Sequence, residues 1–179
     1  KNSYTIVLDS SFAPFEFQNS SGGYTGIDVE LIKAIAKQQG FKIKLQYPGF
    51  DAALNAVQSS QADGVIAGMT ITDERKATFD FSDAYYSANT IVAVQYDYKI
   101  SKYADLKGKT VGYKKGTASS DWLTQHASQY GYTVRAYDDD SSLYDSLQNS
   151  SIDDKMDEEA VLTYAIQSDL KFKTPIKRE

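Results

Sequence analysis

The sequence predicts an α/β protein of two lobes, each built on a doubly wound, mainly parallel sheet. Segments with strand character alternate with segments whose apolar residues recur at helical spacing, which is typical of parallel sheets covered by helices. The alternation restarts after an apolar extended segment at residues 90–94. Residues 57–63 and 147–153 are also similar in sequence, at a constant offset of 90 positions. This offset supports two related halves in one chain.

The first lobe is predicted from strand patterns that alternate with helices. The strand patterns lie at residues 4–8, 42–46 and 64–67. Apolar residues between positions 27 and 35 recur at helical spacing before Gly40, a residue typical of helix ends. Asp51 is predicted to cap the next helix, which would run to about Ser59.

The second lobe repeats this order of elements. Strand patterns lie at residues 109–113 and 133–137. Between them, Ser119 or Ser120 is predicted to cap a helix that runs to about Gln129. A further strand at residues 153–156 leads to Asp157 and Glu158. The predicted boundaries are 1–88 for lobe one, 89–94 for a hinge strand and 95–179 for lobe two.

The composition excludes several functional classes. The chain has 179 residues, 41% of them hydrophobic, and a formal net charge of -5. Its Lys and Arg residues are scattered, without the basic stripe that a nucleic acid backbone requires. The absence of Cys excludes disulfides and thiolate metal sites. No apolar run approaches the roughly 18 residues of a membrane span, and the N-terminus lacks a signal-peptide pattern, so we expect a soluble mature or excised polypeptide.

The stretch at residues 68–76 has the strongest functional pattern. Gly68, Thr70 and Arg75 follow an apolar strand and adjoin the start of a predicted helix. Backbone N–H groups at a helix start and an arginine side chain both bind carboxylates, so the pattern predicts a site for a small carboxylate. Spacing alone equally allows a helix capped by Thr72, with Arg75 on its solvated face.

Several segments resemble one known family. Residues 8–17, 26–31, 68–76, 105–109 and 115–119 resemble the polar amino-acid-binding proteins of bacterial ABC importers, solute-binding protein family 3. They look most similar to the glutamine-binding domains that Gram-positive bacteria fuse to the permease. The resemblance implies a type II periplasmic-binding-protein-like fold without catalysis or cofactor. It also implies capture of L-glutamine at the extracellular face of the cytoplasmic membrane, by a protein tethered or fused to the ABC transporter membrane subunit.

The same resemblance assigns roles to individual residues. Arg75 and the Thr70 N–H would bind the ligand α-carboxylate. The Gly68 carbonyl, the Thr70 hydroxyl and Glu158 would bind the α-ammonium. The complete set of implied ligand-binding residues is Asp9, Phe12, Phe50, Ala67, Gly68, Thr70, Arg75, Lys114, Thr117, Ala118, Asp157 and Glu158. From the residues alone, the two Phe would be core aromatics and the last two acids solvated loop residues.

Selectivity for the ligand side chain would depend on Asp9, Lys114 and Asp157, while Phe12 and Phe50 would enclose its aliphatic part. An amide both donates and accepts hydrogen bonds, and Asp9 with Lys114 supplies one partner of each kind. Glutamate would be repelled by Asp9, and arginine or lysine by Lys114. The alternative ligand is asparagine or another polar amino acid. Asparagine competes most directly, because a pocket discriminates one methylene by only about 1–3 kcal/mol.

The chain departs from the family pattern at two places. Asp154 and Lys155 occupy a strand that is apolar in the family, and at least one of them is expected to reach the surface or find a partner. Family members also continue for several tens of residues beyond 177–179, into a segment that recrosses to lobe one. We therefore expect exposed apolar surface, weak or absent glutamine binding and self-association of this chain.

Specific residues allow two other functions, and a few others resemble metal or catalytic sites only in part. A dehydratase-like enzyme of this fold would use Asp157 or Glu158 as acid or base, and a receptor sensor domain would bind the same ligand. His126 lies mid-helix and is predicted to be exposed rather than catalytic or metal-bound. Residues 138–140 are consecutive Asp without the ligand spacing of a calcium loop, which predicts a solvated turn.

Overall fold

The computed structural model describes residues 1–95, 98–167 and 172–176. The chain divides into two compact units, Lys1–Ala84 and Tyr85–Glu179, called here the first and the second unit. The expectation about residues 177–179 and the chain beyond them lies outside the described residues.

The first unit contains a parallel sheet with helices. Its elements are β1 (Ser3–Val7), β2 (Phe17–Gln18), β3 (Tyr24–Thr25), α1 (Ile27–Gln39), β4 (Lys42–Gln46), α2 (Phe50–Gln58), β5 (Gly64–Val65) and α3 (Asp73–Lys76). The sheet has the strand order β4-β1-β5, and both pairings are parallel. A separate antiparallel pair is formed by β2 and β3. The predicted strands of the first lobe are confirmed, although β5 is shorter than expected.

The start of α2 differs from the prediction. The N-cap residue is Gly49, with φ +96°, and Asp51 lies in the first turn of the helix rather than at its cap. Glycine adopts this backbone conformation with little strain, so the helix begins two residues earlier than a side-chain cap at Asp51 would allow. As a result Phe50 is the first helical residue, and it is buried.

The second unit contains a mixed sheet. Its elements are β6 (Thr90–Gln95), a 3₁₀ turn (Tyr103–Leu106), β7 (Thr110–Lys114), α4 (Ala118–Tyr130), β8 (Thr133–Tyr137), α5 (Asp140–Gln148), β9 (Asp154–Glu158), α6 (Glu159–Gln167) and β10 (Phe172–Ile176). The strand order is β10-β6-β9-β7-β8. Strand β7 pairs in parallel with β8 and β9, whereas β6 pairs antiparallel with β9 and β10. The part of the sheet formed by β9, β7 and β8 is therefore parallel, and the part formed by β10, β6 and β9 is antiparallel.

Strand β6 includes residues 90–94 of the predicted hinge, which was expected at 89–94. Along it, Ile91 and Ala93 belong to one apolar cluster, and Val92 and Val94 belong to another. Successive strand residues point to opposite faces, so this sheet is covered on both faces. The strand pairs inside the sheet of the second unit, and its role as a hinge stays a prediction.

Helix α4 is capped by a residue that the sequence analysis placed outside the helix start. Its N-cap is Thr117, whose Oγ1 accepts a hydrogen bond from the Ser120 N–H at 3.3 Å. The prediction of a cap at Ser119 or Ser120 is therefore wrong, because both residues lie in the first turn and are buried. The helix ends before Gly131, whose φ of +72° provides a left-handed C-cap.

Candidate functional site

In the first unit, the predicted site residues follow the carboxyl ends of its parallel strands. Asp9 and Phe12 come after β1, and Phe50 comes after β4. After β5 the chain continues with Ala67, Gly68, Thr70 and Arg75. Ligands of open α/β sheets bind outside the carboxyl ends of the strands, so the topology puts these residues where a ligand is expected.

The Asp9 carboxylate is buried and oriented by its own backbone. The side chain is 3% exposed, and its Oδ1 accepts hydrogen bonds from the N–H groups of Ser10 at 2.7 Å and Ser11 at 3.4 Å. A carboxylate held in this way keeps a defined direction at the end of the strand. Phe12 is also buried and stacks on Phe15, with the ring centroids 5.5 Å apart.

Gly68 is held against the Phe12 ring by a residue that the sequence analysis did not single out. Its N–H donates to Asp28 Oδ2 at 2.5 Å, and Asp28 is fully buried at the start of α1. A Cβ on Gly68 would lie 2.8 Å from Phe12 Cε1 and 3.0 Å from the Phe15 ring, and the residue has φ +55°. Only glycine satisfies both constraints without strain. Asp28 lies in segment 26–31, which contributes to the family resemblance, but its burial is visible only in the structure.

We expect Gly68→Ala to lower the free energy of unfolding by about 2–4 kcal/mol, because it adds a left-handed alanine and an overpacked methyl. The matched control is Gly40→Ala, which has a similar φ of +73° but no heavy atom within 4 Å of the new Cβ. The control should lose only about 1–2 kcal/mol in urea denaturation. Equal losses would show that the contact with the aromatic rings has no energetic consequence.

Residues 68–76 were interpreted either as a carboxylate-binding pattern or as a helix capped by Thr72 with a solvated Arg75, and the structure agrees in part with each. Thr72 caps α3, as the structural interpretation requires, and accepts the Arg75 N–H at 3.2 Å. The Arg75 side chain, however, is only half exposed. Its Nη1 donates to the Thr70 carbonyl at 2.9 Å, and its Cζ lies 5.6 Å from the centroid of the Phe50 ring. The guanidinium is thus fixed beside two other predicted site residues instead of extending into solvent.

The predicted residues of the second unit also follow the carboxyl ends of parallel strands. Lys114 ends β7, Thr117 and Ala118 begin α4, and Asp157 and Glu158 end β9. Four of them are buried, and Ala118 is half-buried. The interpretation of the two acids as solvated loop residues is wrong, because the sheet pairs their backbone and covers their side chains.

Thr117 connects the end of β7 to the start of α4. Its hydroxyl donates to the Lys114 carbonyl at 2.8 Å, and the same Oγ1 accepts from the Ser120 N–H. The turn between the strand and the helix is therefore closed by one side chain. This fixes the backbone of Lys114 next to the first N–H groups of α4.

Lys155 and Asp140 lie next to Asp157, although the sequence did not predict that these three residues form a group. Lys155 is 0% exposed, and its ammonium lies 2.5 Å from Asp140 Oδ1 and 3.3 Å from Asp157 Oδ2. The prediction that at least one of Asp154 and Lys155 finds a partner is confirmed. The prediction of a solvated turn is wrong for Asp140: Asp139 caps α5, which places Asp140 in the first turn and against Lys155.

Burial and the neighbouring charges shift the pKa values of Lys155, Asp140 and Asp157 in opposite directions. Burial disfavours the ammonium of Lys155, but Asp140 and Asp157 outweigh it and raise its pKa. Burial also disfavours the Asp140 carboxylate, but Lys155 outweighs this and lowers its pKa. For Asp157 the balance differs, since burial prevails over the attraction of Lys155 and raises the pKa to about 6.

Asp154 lies on the other face of β9 and has a different environment. It is fully buried and in register with Val94 and Val111. Neither of its carboxyl oxygens has a hydrogen-bond partner among the described residues. Burial, together with the nearby charge of Asp153, raises the pKa of Asp154 to about 7.

His126 is half-buried, so the prediction of an exposed side chain is wrong. Its ring stacks on Trp122 at a centroid distance of 4.1 Å, and its Nδ1 lies 2.7 Å from the Trp122 carbonyl oxygen. Residues four apart on a helix are neighbours, which explains the stacking. Within the described ranges, no group of His, Asp and Glu is arranged to hold a metal ion, and no helix is long and apolar enough to cross a membrane.

The two α/β units, with polar side chains collected at the carboxyl ends of their strands, define a protein of the periplasmic-binding-protein-like class. The chain belongs to the bacterial extracellular solute-binding proteins, family 3, which match residues 4–168. The family expected from the sequence motifs is therefore confirmed.

Known proteins similar to this chain are named for binding amino acids or transporter substrates. The arginine-binding extracellular protein ArtP of Bacillus subtilis (strain 168) is 36% identical over 161 residues, which is 90% of this chain and 63% of ArtP. A similar solved structure is the second substrate-binding domain of a protein assigned as an amino acid ABC transporter, from Streptococcus pneumoniae Canada MDR_19A. It is 61% identical to this chain, with a TM-score of 0.64, and the match covers 97% of this chain and 79% of that one. Substrate-binding domain 2 of Lactococcus lactis GlnP, in an open conformation, is 54% identical with a TM-score of 0.65, covering 99% and 77%. The chain spans less than two thirds of the length of ArtP.

Proposed function

We propose that this protein captures a polar amino acid, L-glutamine, on the outer side of the cytoplasmic membrane and delivers it to the permease of an ABC importer, to which it is tethered or fused. The observation that carries the proposal is the fixed position of the Arg75 guanidinium, on the Thr70 carbonyl and beside the Phe50 ring. Membership of an extracellular solute-binding family supports the location and the binding role. The similar proteins named above are binding proteins or binding domains, which supports binding rather than catalysis.

The α-amino and α-carboxylate groups would be bound by one set of residues. The Arg75 guanidinium and the Thr70 N–H would bind the carboxylate, since an arginine fork can contact both of its oxygens. The Gly68 carbonyl, the Thr70 hydroxyl and Glu158 would bind the ammonium. In this proposal residues 1–88 and 95–179 act as lobes that close on the ligand through the strand at 89–94. Both residue sets follow the carboxyl ends of strands in their own unit, which supports a shared ligand.

The ligand side chain would be selected by groups of opposite hydrogen-bonding character. Asp9 accepts from the amide NH₂, and Lys114 donates to the amide oxygen. Both side chains are buried, at 3% and 2% exposure, so a ligand that left either one unpaired would lose about 1–3 kcal/mol. Buried Phe12 and Phe50 would contact the aliphatic part of the side chain. Asp157 would also contribute to side-chain selection, and Ala118 would add a backbone N–H from the start of α4. Ala67 and Thr117 would complete the wall of the site.

The test of the proposal is a calorimetric titration of the full-length protein with each proteinogenic amino acid in turn. Glutamine should bind most tightly, and asparagine about 10–200-fold more weakly, because it lacks one methylene. Preferred binding of arginine, the ligand in the name of ArtP, would overturn the assignment of Asp9 and Lys114. Absence of binding by every amino acid would overturn the function itself.

We expect Lys114→Met to weaken glutamine binding by about 10–100-fold, because the amide oxygen loses its donor in a buried site. The matched control is Lys115→Met, since Lys115 is exposed and pairs with Asp138 at 2.6 Å on the surface. Methionine, which has no amide, provides the comparison ligand. If the affinities for glutamine and methionine fall by the same factor, Lys114 does not contact the amide.

A further inference from the structure

The buried Lys155 in the second unit is the least expected charge in the described chain. The residue occupies a strand position that is in register with Ala93 and Gly112. The sheet face that bears Ala93 carries apolar residues of α5, among them Leu143 and Leu147. The Lys155 ammonium forms ion pairs with Asp140 and Asp157 and lies 5.4 Å from the centroid of the Tyr144 ring. An apolar residue would suit this position by every packing argument.

Stability does not explain the choice of lysine. Removing two charges from water is expensive, and replacing a buried ion pair by packed apolar residues is commonly neutral or stabilising. The effect of a lysine at this position must therefore be sought in the acidic groups that it neutralises. The neighbour is Asp157, two residues further along the same strand, whose Oδ1 accepts the Glu158 N–H at 2.8 Å while Oδ2 faces the ammonium.

The charges around Asp157 come from three elements. Lys155 lies on β9 itself, Asp140 lies at the start of α5, and Lys114 ends β7. Burial and Asp140 favour the protonated carboxyl, whereas Lys155 and Lys114 favour the carboxylate. Without Lys155, Asp140 and Asp157 would be two buried acids facing each other, and such pairs hold a shared proton.

We propose that Lys155 is a positioning residue for ligand binding: its ion pairs with Asp140 and Asp157 keep Asp157 ionised and oriented at the end of β9, beside Glu158. The second unit then presents two carboxylates to a ligand cation. This inference rests on the proposed function, because the cation is taken to be the α-ammonium of an amino acid. It adds Asp157, which the family resemblance assigns to side-chain selectivity, to the residues that bind this ammonium. Lys155 would not touch the ligand, and its effect would pass through Asp157.

The test is a set of glutamine titrations of the full-length protein between about pH 6.5 and about pH 8.5, where Asp157 of the wild type is already mostly ionised. In Lys155→Met, Asp157 should be largely protonated at the lower pH. Affinity should therefore fall by about tenfold there and recover toward the wild-type value as pH rises, since one pKa unit changes the ionised fraction by about tenfold. Lys155→Arg retains a cation and should keep the flat profile of the wild type.

Two further variants keep the test valid if Lys155→Met does not fold. The double variant Asp140→Asn with Lys155→Met removes one charge of each sign, which buried pairs commonly tolerate. It should show a pH dependence of the same sign but smaller size, because Asp157 has lost its cation and also the acid that opposed its ionisation. Adding Asp157→Asn to that double variant removes the titrating group and should abolish the pH dependence.

The outcomes separate the inference from the function on which it rests. Variants without Lys155 that bind glutamine as the wild type does, or that lose affinity equally at every pH, would overturn the positioning role and leave glutamine capture standing. A wild-type protein that binds no amino acid would overturn both.

Discussion

The variant Arg75→Ala is expected to abolish amino acid binding, with a loss of about 3–5 kcal/mol, or roughly 10²–10³-fold or more in affinity. The reason is that the ligand carboxylate would be buried without its cation. The structure supports a strong effect because the guanidinium is already held by the Thr70 carbonyl at 2.9 Å, so little side-chain freedom is lost on binding. The measurement is a glutamine titration by calorimetry, with circular dichroism to verify folding.

Lys76→Ala is the matched control for this experiment. Lys76 is the next residue on α3, is exposed, and pairs with Asp73 at 3.5 Å on the surface. Its removal should leave affinity within about twofold, since surface ion pairs contribute little. Arg75→Lys should bind weakly, because an ammonium cannot contact both carboxylate oxygens as the guanidinium does. Binding by Arg75→Ala within about tenfold of the wild type would remove Arg75 from the site.

Replacing Asp154 by valine should stabilise the protein by about 2–4 kcal/mol near pH 8. The carboxyl is fully buried against apolar strand neighbours, and burial raises its pKa from 3.8 to about 7. Valine has a similar size and suits a strand covered on both faces. The measurement is the free energy of unfolding from urea denaturation at two pH values.

The sign of the pH dependence follows from the direction of the shift. Below pH 3.8 the Asp154 carboxyl is protonated in both states and imposes no charge penalty. As pH rises toward about 7, the unfolded state releases its proton while the folded state retains it, so the wild type loses stability. The gain from Asp154→Val should therefore be small near pH 4 and full above about pH 7. Asp145→Ala, on the exposed side of α5, is the control, and it should change the free energy of unfolding only slightly.

Much of the fold could be predicted because its signals are local. Strand and helix periodicity located β1, β4, β8 and α1 with little error, since alternation and helical spacing depend on neighbouring residues. The caps of α2 and α4 could not be predicted in the same way. Gly49 and Thr117 take those positions because of backbone conformation and of a hydrogen bond from Thr117 to the Lys114 carbonyl.

The candidate site also has features that the sequence predicted and features that only the structure revealed. Residues 68–76 already indicated a carboxylate-binding pattern, because the chemistry of Arg and Thr is visible in any sequence. The alternative solvated position of Arg75 was excluded only by its contacts with Thr70 and Phe50. Asp28 was invisible as a partner of Gly68, since the two residues are 40 positions apart and meet only when the sheet forms.

The sequence alone determined the family, the order of strands and helices, and the residue types available to bind an amino acid. It also showed that Asp154 and Lys155 break an apolar strand, since this requires only the alternation of a strand. Only the tertiary structure decided the opposite environments of these two residues. Lys155 faces two carboxylates supplied by α5 and β9, whereas Asp154 faces apolar neighbours on β6 and β7. Their energetics differ because burial penalises a charge, and only packing brings the partner that compensates it.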